Sequence, residues 1–212
     1  MDELFQICDS TGAEPVLVVN FSFARYGPGE DRVEQAAGYA ANWVRYVNQT
    51  LDRNVRYWEI GNENYGPWQA GYMVEGEQIT GTMYGEIFRV FADSMKAADP
   101  TIHLGAVIYP LDEDYDNWTA QVLPEVQNDA DFLIVHDYFA WSPNENNISY
   151  AEMMASVSEV TEDAASVRAM VSQYTGKSPD HFALAFTEYN SNTGHRAVSY
   201  THLRAHETPT NL

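Results

Sequence analysis

Glu63 and Glu188 are the two side chains from which chemistry can be argued. Each closes a run of β-branched and aromatic residues, Tyr57-Trp58-Glu59-Ile60-Gly61-Asn62-Glu63-Asn64 and Phe186-Thr187-Glu188-Tyr189-Asn190. A carboxylate at the end of a hydrophobic strand is costly unless it lines a cleft. Two carboxylates facing each other across a water-poor cleft can divide the roles of acid and nucleophile. Glycosidic bonds are cleaved by such a pair, and the configuration-retaining version holds the carboxyl groups about 5–5.5 Å apart. Glu pairs are common in an acidic chain, so it is the setting at strand ends, among aromatic and amide side chains, that singles this one out.

Positioning them calls for strands joined by helices, and the chain supplies that pattern. Leu4, Phe5 and Cys8 form one stripe of a short helix that stops at Gly12, with Cys8 as a core residue. The run Val16-Leu17-Val18-Val19 reads as a strand buried on both faces and ends at Asn20. Gly27, Pro28 and Gly29 lead to Asp31 and Glu34, a helix-start spacing. That helix is predicted to reach about Leu51 and to bury Val33, Ala37, Ala40, Val44 and Val47. A second strand covers Val55 to Asn62. Met83, Ile87, Val90, Phe91 and Met95 then give a helical stripe closed by Asp99-Pro100. Ile102–Tyr109 is a strand, Trp118–Val126 a short helix with Pro124 weakening its end, and Ala130–Phe139 a strand. Ser149 and Glu152 have capping-box spacing before a helix carrying Met153, Val157, Val160, Val167 and Val171 and followed by Gly176. Phe182–Tyr189 is the last strand.

Apolar strands alternating with helices imply a parallel sheet with helices outside it. An open doubly wound sheet would satisfy the pattern, but no Gly-rich phosphate loop follows any strand, which argues against a nucleotide-binding version. The polar residues Asn20, Asn62, Glu63, Tyr109, His136, Tyr138 and Glu188 fall instead at carboxyl ends of strands. That is where a (β/α)8 barrel enzyme carries its site, and a whole barrel takes about 250 residues. The expected fold class is therefore α/β, a partial (β/α)8 TIM barrel, in this chain of 212 residues.

Composition narrows the partners. With 31 acidic against 11 basic residues the formal charge is −20, which repels nucleic acid and anionic lipid alike. The 14 tyrosines and 5 tryptophans favour a cleft with flat apolar walls. The single cysteine rules out an intramolecular disulfide. No apolar run is long enough to span a membrane, and the first residues do not read as a signal peptide. The acidic surface suits a salty or extracellular setting, so a secreted or periplasmic location is expected for the full-length protein.

Tyr57-Trp58-Glu59-Ile60-Gly61-Asn62-Glu63 resembles the acid/base motif of clan A glycoside hydrolases, particularly the α-L-arabinofuranosidases, where it ends barrel strand four. Val135-His136-Asp137-Tyr138 is similar to their strand-six segment, and Phe186-Thr187-Glu188-Tyr189-Asn190 to the strand-seven nucleophile segment. The resemblance covers roughly Leu4 to Arg196. It implies barrel strands three to seven with their helices, and a retaining hydrolysis of α-L-arabinofuranosides in plant or algal polysaccharide by a two-carboxylate double displacement. Glu63 would be the general acid/base and Glu188 the nucleophile. Asn62 would bind the sugar hydroxyl beside the anomeric carbon, and His136 and Tyr138 would hold the carboxylates and the ring. Asn20 and Trp68 join the substrate-binding set, with Trp68 and Trp141 as sugar platforms or loop packing. The acid needs a raised pKa and the nucleophile needs donors such as Tyr138. No metal or cofactor is implied. Two departures bear on the sugar: Tyr189 stands where the family usually carries Trp, and the loop Asn64–Gly81 is long. Other activities of the clan, agarase or xylosidase, are the alternatives, as is a catalytically inactive carbohydrate-binding fragment.

Four further readings complete the sequence. Glu59 is expected to make a buried structural hydrogen bond. Asp112, Asp114 and Asp116 alternate as calcium ligands do, but Asn117 replaces the glycine of such a loop, so a solvated loop is expected. Asn48, Asn117 and Asn147 begin glycosylation-type triplets. The basic, aperiodic stretch Ser199–Thr208 resembles a translated adaptor string found at the ends of metagenomic reading frames. The barrel is thus assigned to 1–197 and a non-native or disordered tail to 198–212. A barrel lacking strands exposes apolar edges, and poor folding with negligible activity is expected of the isolated chain.

Overall fold

The computed structural model describes residues 2–139 and 149–191; Trp141, Asn147 and the 198–212 tail lie outside the described residues. In chain order the elements are α1 (Asp2–Thr11), β1 (Val16–Val19), α2 (Phe23–Tyr26), α3 (Arg32–Val44, continued by a π-helical stretch Arg45–Thr50) and β2 (Tyr57–Ile60). There follow β3 (Met73–Val74), β4 (Glu77–Gln78), α4 (Gly81–Ala98), β5 (His103–Val107), α5 (Asp114–Val126), β6 (Phe132–Phe139), α6 (Tyr150–Ala155), α7 (Glu159–Thr175) and β7 (Ala183–Ser191). The five long strands form one sheet in the order β1-β2-β5-β6-β7, every neighbour parallel, while β3 and β4 make a separate small hairpin. This is half of a barrel wall, with α3, α4, α5 and α7 packed in sequence along its outside.

Alternation along each strand divides the residues between two layers. Leu17, Val19, Trp58, Ile60, Leu104, Ala106, Leu133 and Val135 point to the helices and are buried. Val16, Val18, Tyr57, Glu59, Gly105, Phe132, Ile134 and His136 share the concave face. Gly105 is needed there, since a Cβ would stand 2.4 Å from the Phe132 ring and 2.7 Å from Ile134 Cδ1. The expectation that β1 is buried on both faces fails: Val16 and Val18 are exposed. As the edge strand, β1 has a neighbour on one side only, and among the described residues no element covers its concave side.

Several local expectations are met with changes. Ser149 and Glu152 form the reciprocal capping box, Glu152 N–H donating to Ser149 Oγ at 3.2 Å and Ser149 N–H to Glu152 Oε2 at 2.7 Å. Asp31 caps nothing with its side chain, which accepts instead from Gln35 Nε2 at 2.8 Å. The helix expected after Ser149 breaks into α6 and α7 across a 3-10 turn at Ser156–Ser158. Tighter winding there rotates the apolar stripe, leaving Val157 exposed while Val167, Met170 and Val171 are buried. In α1 only Phe5 is buried, under the Arg53 guanidinium 4.7 Å above its ring; Cys8 is half-buried rather than a core residue. Asn48 is spent on structure: its amide bonds both polar groups of Val55 and Asp99 Oδ2. No helix among the described residues is long and apolar enough to cross a membrane.

Candidate active site

The segment Trp58–Asn64 folds as it does because each side chain has a different task. Trp58 turns outward onto Trp43, ring centroids 5.5 Å apart and nearly perpendicular, and its indole N–H donates to Val55 O at 3.1 Å. Ile60 also turns outward, and its carbonyl accepts from the Tyr84 hydroxyl at 2.7 Å. The same hydroxyl accepts from Val107 N–H at 2.9 Å, so one buried tyrosine ties the carboxyl ends of β2 and β5 together. Gly61 follows with φ 90°, where a Cβ would lie 2.1 Å from Asn64 Oδ1, so only glycine fits. Glu63 itself has φ 44°. A non-glycine residue in that region costs on the order of 1–3 kcal/mol and is characteristic of functional positions.

His136, on β6, joins the two carboxylates. Its Nδ1 lies 3.0 Å from Glu63 Oε1 and 3.7 Å from Glu188 Oε2, and its Nε2 lies 3.1 Å from Thr187 Oγ1 and 3.9 Å from Glu59 Oε1. Glu188 reaches this place through a slip in the β6–β7 ladder between Val135 and His136: His136 pairs with Glu188, and Thr187 is squeezed out as a bulge. Tyr138 donates its hydroxyl to Glu188 Oε2 at 2.6 Å. Trp68 donates its indole N–H to Glu63 Oε2 at 2.6 Å, so its contact is with the Glu63 carboxylate. Ligand-capable atoms of Glu63, His136 and Glu188 all lie within 4.8 Å of one another. They are also the only group of three or more His, Cys, Asp or Glu among the described residues that is close enough to bridge a metal ion.

Charge is arranged around the imidazole. The His136 bond holds Glu63 below the usual carboxylate range against its burial, and the Trp68 indole adds to the effect. The raised pKa expected of an acid is thus not found at Glu63, because two donors stabilise its anion. Burial opposes charge on His136, but the bond to Glu63 and the charges of Glu188 and Glu59 outweigh it, lifting the imidazole above its ordinary value. The bond to Glu188, and then burial, push the Tyr138 phenol up to about 12. Glu59 is 2% exposed, and burial raises it to about 7 despite His136 and the Thr187 hydroxyl. It pairs with Thr187 as a structural group would, yet its Oε1 has no hydrogen-bond partner.

That makes Glu59 a pH-dependent cost. The folded protein keeps the Glu59 proton up to about pH 7, whereas an ordinary Glu releases it near 4.5. Stability from this group is therefore complete at low pH and lost as pH rises through about 7. Glu59→Gln should raise the stability relative to the parent by an amount that grows by roughly 2–3 kcal/mol between pH 5 and pH 8. Thermal melts of both proteins at the two pH values measure this; a difference that does not change with pH would refute a buried neutral Glu59.

A cavity of about 760 Å³ opens beside Glu63 and His136. Tyr65, Tyr109 and Tyr115 wall it, their ring centroids 4.7–5.0 Å apart, with Trp68 6.1 Å from Tyr115. Asp137, Glu159, Glu162 and Asp163 line its other arm. The structure thus brings together Glu63, Glu188, His136, Tyr138 and Trp68. Asn62, half-buried in the turn before Glu63, and Asn20, whose Oδ1 accepts from Phe23 N–H at 3.3 Å, are not among the cavity's lining residues.

Sequence reasoning missed Thr187, Tyr115 and the acidic arm. Tyr115 sits in the stretch expected to be a solvated loop. Tyr115–Asn117 have φ of 48–58°, which turns the tyrosine into the wall, while Asp112 accepts from the Tyr174 hydroxyl and Asp116 from Gln78. Buried Arg25 fixes the long loop through bonds to Gly71 O and Glu77 O. A smaller cavity of about 460 Å³ lies at the amino ends of β1 and β2, where Arg53 pairs with Asp9 and Arg56 with Glu14.

The sequence profile described as the Alpha-L-arabinofuranosidase 1 domain matches residues 1–151. The probable alpha-L-arabinofuranosidase C of Aspergillus flavus is 33% identical over 107 residues, 49% of this chain and 20% of that one. The intracellular exo-alpha-(1->5)-L-arabinofuranosidase of Acetivibrio thermocellus is 29% identical over 141 residues, 65% of this chain and 26% of that one. Among solved structures, the alpha-L-arabinofuranosidase of Thermotoga maritima in its arabinose complex superposes with a TM-score of 0.64 at 26% identity, covering 90% of this chain and 37% of that one. The chain thus spans well under half the length of these relatives. With the profile running through β2, Glu63 and His136, and the likeness of fold extending over the half-barrel, this chain belongs to the alpha-L-arabinofuranosidase 1 domain family.

Proposed function

We propose that this chain carries the catalytic pair of a retaining glycoside hydrolase that removes α-L-arabinofuranosyl units from oligosaccharide or polysaccharide. The observation that carries the reading is the approach of Glu63 and Glu188 to within 4.8 Å of each other around His136. Retaining enzymes hold their carboxyl groups about 5–5.5 Å apart, and inverting ones about 6.5–9.5 Å to admit a water. In the first half-reaction Glu188 attacks the anomeric carbon, and the bond to the leaving oxygen breaks as that oxygen takes a proton from Glu63. His136, 3.0 Å away and holding its proton above the usual range, is placed to supply the proton that Glu63 lacks at rest. In the second, Glu63 takes a proton from water as the water attacks, and Glu188 departs with the Tyr138 hydroxyl donating to its oxygen.

The stereochemical course tests this. Proton NMR of the first sugar released by the longest form of the protein its reading frame encodes should show the α-anomer before mutarotation. The β-anomer as first product would overturn the double displacement.

A further inference from the structure

We propose that the far arm of the cavity, on the leaving-group side of Glu63, selects neutral oligosaccharides and turns away those that carry a carboxylate. The inference rests on the proposed function only in taking the ligand to be a glycan cleaved beside Glu63. The cavity opens beside Glu63, the proton donor in that reading, and a leaving group departs on the side of its proton donor, so this space is assigned to the part of the substrate that leaves. Beyond the tyrosine wall that space is bounded by Asp137, Glu159, Glu162 and Asp163, and no Lys or Arg is among its described lining residues.

Glu159 and Glu162 stand in the first turn of α7, where the helix dipole favours negative charge, and that alone would explain them. It does not explain Asp137. This side chain projects from the helix-facing side of β6, is 5% exposed, and its Oδ2 has no hydrogen-bond partner. A buried acceptor without a donor is costly, and hydroxyl groups of a sugar are donors of the right kind. Burial, then the charges of Asp137, Glu159 and Glu162, raise the Asp163 carboxyl to about 6. Another carboxylate entering the arm adds to that repulsion. A resident metal does not relieve it, because among the described residues only Glu63, His136 and Glu188 come close enough together to share an ion.

The test compares two arabinofuranosyl xylo-oligosaccharides that differ in one group, a uronic acid on the leaving portion or its uncharged uronamide. On the full-length protein at low salt, kcat/KM for the uronamide should exceed that for the uronate by about tenfold or more, as expected for like charges within about 8 Å at a protein surface. The ratio should shrink in 0.5 M NaCl and narrow in Glu162→Gln and in Asp163→Asn, either of which suffices. Binding of the same two compounds to Glu188→Gln by calorimetry repeats the comparison without turnover. Equal kcat/KM and equal binding would overturn the inference while leaving the hydrolase reading intact. Preferential binding of the uronamide without hydrolysis by the parent would do the reverse.

Discussion

Glu188→Gln is expected to lower kcat by on the order of 10⁵, as removal of a covalent nucleophile does when the rest of the site stays in place. The amide keeps the volume of the carboxylate and can still accept the Tyr138 hydroxyl, which lies 2.6 Å from Glu188 Oε2. Binding should therefore survive, and the loss should fall on kcat rather than KM. Glu188→Ala adds a sharper readout, because a small anion can occupy the vacated space. With azide and an activated aryl arabinofuranoside, turnover should return in part, and the product should be an arabinosyl azide of inverted configuration. If Glu188→Gln retained a tenth of the parent rate, Glu188 would not be the nucleophile.

Glu63→Gln should separate substrates by their leaving groups. A sugar leaving group needs the proton that Glu63 delivers, and kcat/KM for an arabino-oligosaccharide should fall by about 10²–10⁴. A nitrophenolate departs without help, so kcat/KM for 4-nitrophenyl arabinofuranoside should change little, while its kcat falls because no base activates the water for the second step. Equal losses on both substrates would remove Glu63 from the acid role. His136 and Trp68 both bond to Glu63, so replacing it leaves two donors with a weaker acceptor. Part of any uniform loss would come from that, and only the difference between the substrates reports on proton delivery.

How far residue types foretold this arrangement depended on the range of the interactions involved. The five strands and the helices between them were readable because apolar stripes of fixed period need only local information. Glu63 and Glu188 were readable as strand-end carboxylates for the same reason. The exposure of Val16 and Val18 was not, since burial of a strand face depends on neighbours from distant parts of the chain. Tyr115 escaped because three successive left-handed residues carry no periodic signal and the aspartates around it read as a loop. The resting state of Glu63 escaped because donors from Trp68 and His136 set it, and His136 stands on another strand. Asp137 was visible in the motif beside His136, but its meaning comes from α7, which folds back over it only in three dimensions.

The slip between β6 and β7 makes the position of Glu188 a matter of parity. Ala183 and Ala185 pair with Phe132 and Ile134 on the concave face, so an uninterrupted strand would send residue 187 inward and residue 188 out toward the helices. One supernumerary residue reverses the count, and Glu188 arrives opposite His136. Glu188 thus owes its side of the sheet to Thr187 being left out of the pairing, and not to its residue type alone. Pairing Thr187 regularly with His136 would carry the carboxylate to the helix side of the sheet, whereas deleting Thr187 would straighten the ladder and leave Glu188 opposite His136.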